Sequence, residues 1–289
     1  MGVAASAMLA TTQKGWAQLA PEGGDDGLHV RFLGTGAADW NGRDERGEHR
    51  RLSSILVDGR ILIDFTPTDE DMLPQGTKPE VIFYTHSHSD HYNASAALKL
   101  GLKKVYLSQT WYDRAVADFA KAAKELGVEP PLILPVCIGQ QITLGDITLS
   151  PLPGNHATNY LLEQTLIYLI EKGTTRLLYA TDTGGLPAVA TRMIGIDAHK
   201  KGRPITGIIM EATMGMDHEV DFRLFTHSSV ATVERTVRVL TETKRYVPRQ
   251  GQAVYLTHMA RTLHGTQKEL DARLPAPLKA AYDGLEVVF

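Results

Sequence analysis

From Leu28 onward, short apolar blocks alternate with breaks rich in Gly, Asn and Asp. The apolar spacing switches between every second residue and every third or fourth, the two rhythms of strand and helix. "LHVRFLG" alternates and runs into the turn "GTGAADWNG", which predicts a first strand. "SSILVD" and "RILIDF" flank Asp58-Gly59, which predicts a tight hairpin. "EVIFYT" predicts a buried strand and "KVYLS" another. Between them, "NASAALKLG" predicts a short helix with Asn93 as its cap. "QTWYDRAVADFAKAAKELG" predicts a long amphipathic helix closed by Gly127.

The second half repeats the alternation. "LILPVCIGQQITLGDITLSPLPG" predicts several short strands with Gly turns. "YLLEQTLIYLIEKGTTRLLYATD" predicts two strands joined at "KGTT". "ITGIIME", "QAVYLTH" and "LEVVF" predict three more strands. "LPAVATRMIG", "HSSVATVERTVRVLTET" and "GTQKELDARL" predict helices. No internal repeat or low-complexity linker divides residues 28–289. This order predicts one α+β domain with two sheets sandwiched between helical layers.

Residues 1–27 stand apart as an N-terminal extension. "VAASAMLA" has the length of a signal-peptide apolar run, and "GWAQ" offers a small-residue cleavage position after Ala17, but no basic start precedes them. Two readings stay open: the remnant of an export signal, which would place the protein in the periplasm or outside the cell, or a flexible or helical extension of a cytoplasmic protein.

Composition narrows the chemistry. At 289 residues, 43% hydrophobic and 22% charged, the chain can bury a large core. A net charge of −3 with no Lys/Arg run speaks against a nucleic-acid partner. A single cysteine, Cys137, excludes an intrachain disulfide and a cysteine-rich zinc site. No apolar stretch is long enough to span a membrane. A homodimer is compatible with all of this.

One segment stands out. "THSHSDH", residues 85–91, gathers His86, His88, Asp90 and His91 directly after a predicted buried strand. Imidazole and carboxylate together suit zinc, iron or manganese. Alternate residues of an extended segment face the same way, so His86 and His88 can face one ion, with Asp90 and His91 facing a second past a bend. One loop cannot complete two metal shells. Three further candidates also follow apolar runs: His156 in "PGNHATN", Asp182 in "YATDTGG" and His258 in "VYLTHMA". His29 and His49 lack that context, and His199 sits in the basic "DAHKKGR", so these three are expected in solvent.

The ordered set "THSHSDH", His156, Asp182 and His258 resembles the metallo-β-lactamase superfamily over about residues 28–289. The resemblance implies an αββα four-layer sandwich with a dinuclear site along one edge. By resemblance, His86, His88 and His156 hold one divalent ion, Asp90, His91 and His258 hold the other, and Asp182 bridges them. Zinc is the first expectation, with manganese or iron open. "RFLGTGAAD", "LPGNHATNYLLE", "TDTGGLP", "FTHSSVATV" and "YDGLEVVF" resemble the phosphodiesterase subgroup that contains PhnP and tRNase Z. That implies hydrolysis of a small or cyclic phosphodiester by metal-bridged hydroxide, with His227 protonating the leaving oxygen. His227 and Asp90 are the expected catalytic residues. The other reading of His227 is a cap for the helix starting near Ser228.

Two departures limit the resemblance. "ADWNGRDERGEHRR" has none of the structural-zinc cysteines of PhnP, and no basic arm like that of tRNase Z is present. A lactone, β-lactam or thioester hydrolase of the same fold is the alternative function, and a non-catalytic binding protein is a third. Asp64 in "LIDFTP" is expected either to orient a ligand histidine or to form a turn before Pro67, and Glu211 at the end of "GIIME" is a further candidate for support of the site.

Overall fold

A computed structural model describes residues 27–196 and 202–289. The N-terminal extension up to residue 26 and His199 lie outside the described residues.

Two seven-stranded mixed sheets face each other. The first contains β1 (His29–Gly34), β2 (Ser54–Val57), β3 (Ile61–Ile63), β4 (Val81–Phe83), β5 (Lys104–Ser108) and β6 (Leu132–Val136). The second contains β7 (Ile142–Leu144), β8 (Ile147–Pro153), β9 (Leu166–Lys172), β10 (Thr175–Ala180), β11 (Gly207–Glu211), β12 (Val254–Thr257) and β13 (Leu278–Ala280). The last strand, β14 (Glu286–Val288), returns to pair antiparallel with β1, so the chain closes on the sheet where it began. In the first sheet, β3 to β6 run parallel. In the second, β10 to β13 do the same.

The predicted hairpin is present, with Asp58 at φ 45° and Gly59 at φ 68°. They are the central pair of a turn closed by the Arg60 amide donating to the Val57 carbonyl, and two positive φ values there match the right-handed twist of the strands it joins. Asp58 also accepts from the His29 amide and from Lys172 Nζ, which anchors the turn.

Residue parity along each strand builds three cores. Val30, Phe32, Ile55, Ile63, Phe83, Tyr168 and Tyr179 fill the space between the sheets. The alternate residues Leu33, Leu56, Leu62 and Ile82 face α1 (Ala94–Lys99) and α2 (Tyr112–Leu126). Ile167, Leu178, Ile208 and Leu256 face the other way, with α4 (Val230–Glu242) and α5 (Gln267–Arg273) packed on them. Each central strand is thus buried on both faces, which is why its sequence reads as a continuous apolar run. α3 (Ala188–Met193) adds Ala190 to the same layer. This is the αββα sandwich.

Three elements differ from the sequence reading. The strand expected from Tyr160 begins only at Leu166, and Leu161 and Leu162 are exposed. The long helix starts at Tyr112, after a 3₁₀ turn at Gln109–Trp111. Strand β13 was not expected, because a three-residue Leu-Lys-Ala strand is too short to show a period.

Candidate metal centre

Parallel strands in both sheets end at the same edge. β4 leads into His86–His91, β10 into Asp182, β11 ends in Glu211, and β12 leads into His258. β8 leads through Gly154 and Asn155 into His156. Groups at the carboxyl ends of parallel strands are held by the sheet yet face open space. Among the described residues five non-glycine positions have positive φ, and three of them lie here: Asp64 at 58°, Asp182 at 47° and His258 at 52°. That conformation costs an L-residue on the order of 1–2 kcal/mol. It turns the side chain sharply off the strand end, toward the cluster.

The seven predicted donors come together. His86 Nε2 lies 3.0 Å and His156 Nε2 3.2 Å from His88 Nδ1. On the other side, His91 Nε2 lies 3.2 Å from His258 Nε2 and 3.3 Å from Asp90 Oδ2. Asp182 stands between the two groups. Its Oδ2 lies 3.0 Å from His91 Nε2 and 3.3 Å from His258 Nε2, while its Oδ1 lies 3.8 Å from His156 Nε2.

The outer nitrogens of four of these imidazoles meet a second set of groups. Asp64 Oδ2 lies 2.8 Å from His91 Nδ1 and also accepts from Thr85 Oγ1, and Asp64 Oδ1 accepts from the Thr85 amide. His86 Nδ1 is 3.0 Å from Thr85 Oγ1, His156 Nδ1 is 3.2 Å from the Thr226 carbonyl, and His258 Nδ1 is 2.9 Å from Thr213 Oγ1. Partners of this kind fix the tautomer and aim the inner lone pair. Asp64 therefore orients a histidine, and the turn before Pro67 does not account for it. The Glu163 carboxylate accepts from the Ser87 amide at 2.8 Å and from Ser87 Oγ at 2.6 Å, tying the His86–His88 segment to the loop after His156.

His227 completes the cluster. Its Nδ1 lies 3.1 Å from Glu211 Oε1, 3.2 Å from Thr213 Oγ1 and 3.8 Å from Asp182 Oδ1. It does not cap the following helix: Ser229 is the cap, with its side chain accepting from the Thr232 amide. Glu211 is fully buried and also accepts from the Thr183 amide, next to Asp182. Gly184 lets three segments meet here, since a Cβ on it would come within 3.1 Å of both Asn155 Nδ2 and the Leu224 carbonyl.

Burial and charge divide the groups by protonation. Desolvation pushes His86 well below the usual histidine range and lowers His88 and His156, which favours the neutral, metal-binding imidazole. Burial would also lower His91, but Asp182, Asp90 and Asp64 outweigh it and raise it well above that range. Burial would raise Asp90 and Asp182, and the surrounding histidines, His91 and His258 foremost, hold both well below the carboxylate range. The His/Asp set fits a metal site in donor chemistry, in burial and in its supporting partners.

A cavity of about 260 Å³ opens onto this edge, lined by His88, Asp90, Asp182, His227, His258 and Arg223 among others. His29 and His49 do not join the cluster, and His49 is exposed. Thr85, Glu163, Thr213 and Arg223 were not singled out from sequence; single Thr, Glu and Arg residues in loops carry no spacing signal. No helix among the described residues is long and apolar enough to cross a membrane.

An αββα sandwich with a buried His/Asp cluster on one edge defines a metal-dependent hydrolase class. The sequence model of the beta-lactamase superfamily domain matches residues 59–259, and the chain belongs to that superfamily. No curated protein matches the chain. Among solved structures, a diphosphatase from the PhnP family is 22% identical with a TM-score of 0.63, covering 91% of this chain and 98% of its own. Zn(2+)-bound PqqB from Methylobacterium extorquens is 16% identical with a TM-score of 0.64, covering 90% of this chain and 99% of its own. A long-form RNase Z from yeast is 14% identical with a TM-score of 0.58, covering 91% of this chain and 42% of its own. At these identities the likeness is one of fold.

Proposed function

We propose that this chain is a dinuclear metal-dependent phosphodiesterase acting on a small or cyclic phosphodiester, with His227 as general acid. In this reading His86, His88 and His156 hold one ion, Asp90, His91 and His258 hold the other, and Asp182 spans both. Zinc suits the imidazole-rich donor set, and the carboxylates also admit manganese or iron. Two such ions supply an activated water and positive charge at phosphorus.

The observation that carries this reading is the pairing of His227 with Glu211. Burial lowers the His227 pKa, but Glu211, Asp182 and Asp90 outweigh it and push it up to about 9. These carboxylates favour the protonated imidazole, which lies on the wall of the same cavity as Asp90 and Asp182. An alkoxide leaving phosphorus is a poor leaving group, and a positioned donor contributes typically about 10²–10⁴-fold. Asp90, beside His258 and His91, would be one of the residues that hold the second ion. The PhnP-family neighbour is itself described as a diphosphatase, which is chemistry at phosphorus.

The test is a panel assayed with zinc- and manganese-loaded protein: bis-p-nitrophenyl phosphate, a cyclic nucleotide, a lactone and nitrocefin. Turnover of the phosphodiesters is expected. Strong lactone or nitrocefin turnover with inert phosphodiesters would move the protein to acyl chemistry.

A further inference from the structure

A second cavity, of about 410 Å³, opens against Ala38, His88 and Asp90. The same three residues line the cavity that holds His227, so the two spaces share a wall that includes two of the proposed metal ligands, His88 and Asp90. Arg114 is the one Lys or Arg among the described residues that line the second space.

The setting of Arg114 is not that of a structural ion pair. Its Nε is 3.8 Å from Asp118 Oδ2, with both side chains about two-fifths exposed (39% and 41%). Such pairs contribute little. Its Cζ sits 4.0 Å from the Tyr160 ring centroid, which holds the guanidinium plane in place. Its Nη1 is buried without a hydrogen-bond partner among the described residues. The side chain as a whole is still 39% exposed, and a guanidinium fork matches the oxygens of a phosphate or carboxylate.

Tyr160 is itself fixed to the metal loop. Its amide donates to Thr158 Oγ1, which donates to the Glu163 carboxylate that clamps Ser87. The Arg114–Tyr160 wall therefore keeps a set position relative to His86 and His88. Arg114 lines this space and not the one that holds His227, so a group bound here is separate from the leaving group that His227 would protonate.

We infer that Arg114 determines specificity by binding a second anionic group on the retained portion of the substrate. The inference rests on the phosphodiesterase reading above. It is tested with two esters that share one scissile bond and one leaving group: thymidine 5′-(p-nitrophenyl phosphate), with and without a 3′-phosphate. The metal-loaded enzyme is expected to favour the 3′-phosphorylated ester by about 10- to 100-fold in kcat/KM. The preference should fall to near unity in Arg114→Gln and to an intermediate value in Arg114→Lys. Calorimetric titration with thymidine 3′,5′-bisphosphate and thymidine 5′-monophosphate should show the same contrast in Kd. Equal kcat/KM for both esters in the unmodified protein, or a preference that survives Arg114→Gln, would overturn the inference. Turnover of neither ester would sink the phosphodiesterase reading, and the calorimetric contrast then decides the anion site alone.

Discussion

Nδ1 of His227 lies 3.1 Å from Oε1 of Glu211, a fully buried carboxylate at the end of β11. The second oxygen of Glu211 accepts from Thr213 Oγ1, and that hydroxyl lies 2.9 Å from His258 Nδ1. A single carboxylate thus ties the proposed acid to a proposed metal ligand through Thr213.

Removing that charge should be visible directly. Glu211 is the largest of the influences that raise His227. In Glu211→Gln the His227 midpoint should fall from about 9 by about 1 unit or more, followed by NMR titration of the imidazole in metal-free protein. An unchanged midpoint would mean that the pair does not govern the protonation of His227.

Asp182 places one oxygen toward each donor group. Asp182→Ala should lower metal content and activity together, measured by elemental analysis of reconstituted protein beside turnover of bis-p-nitrophenyl phosphate. Two tightly held ions and normal turnover in the variant would contradict the bridging assignment.

Asp64 Oδ2 lies 2.8 Å from His91 Nδ1, on the side of the ring away from His258. Asp64→Asn keeps the size but weakens the acceptor at His91 Nδ1, so affinity for one ion should drop about 10- to 100-fold, as seen in chelator competition. Unchanged affinity in a folded variant would reduce Asp64 to a turn residue.

The expected and observed structures agree where burial writes itself into the sequence. Strands β4, β9 and β10 are apolar on both faces because cores lie on both sides of each sheet, and four of the metal candidates follow such runs. The histidines were legible because their spacing is rare. What could not be read is what depends on distant neighbours. Thr85 and Thr213 matter only because the fold sets Asp64 and Glu211 beside them. The positive φ of Asp182 and His258 carries no glycine to announce it. "YLLE" reads as strand by composition, yet its glutamate turns inward to Ser87 while its leucines face solvent.

His264 offers a test of stability away from the metals. Its Nε2 lies 2.6 Å from the Ala212 carbonyl. Burial is the main cause that lowers its pKa to about 4 from 6.5. The unfolded chain then binds a proton that the folded protein does not, so this contribution to stability is complete above about 6.5 and is lost as pH falls toward about 4, a change on the order of 3 kcal/mol. His264→Gln removes the titration, so denaturant unfolding should show a shallower loss of stability between those pH values. Parallel curves for the two proteins would contradict the assignment.

The central claim, proton donation by His227 at a dinuclear centre, is tested most directly by leaving-group dependence. kcat/KM is measured for His227→Ala and the unmodified protein on bis-p-nitrophenyl phosphate and on an alkyl phosphodiester, with metal content determined for both. The account predicts that both metals stay, that much of the activity on the activated ester survives, and that the alkyl ester loses about 10²–10⁴-fold. An equal loss on both esters, or loss of metal, would contradict it.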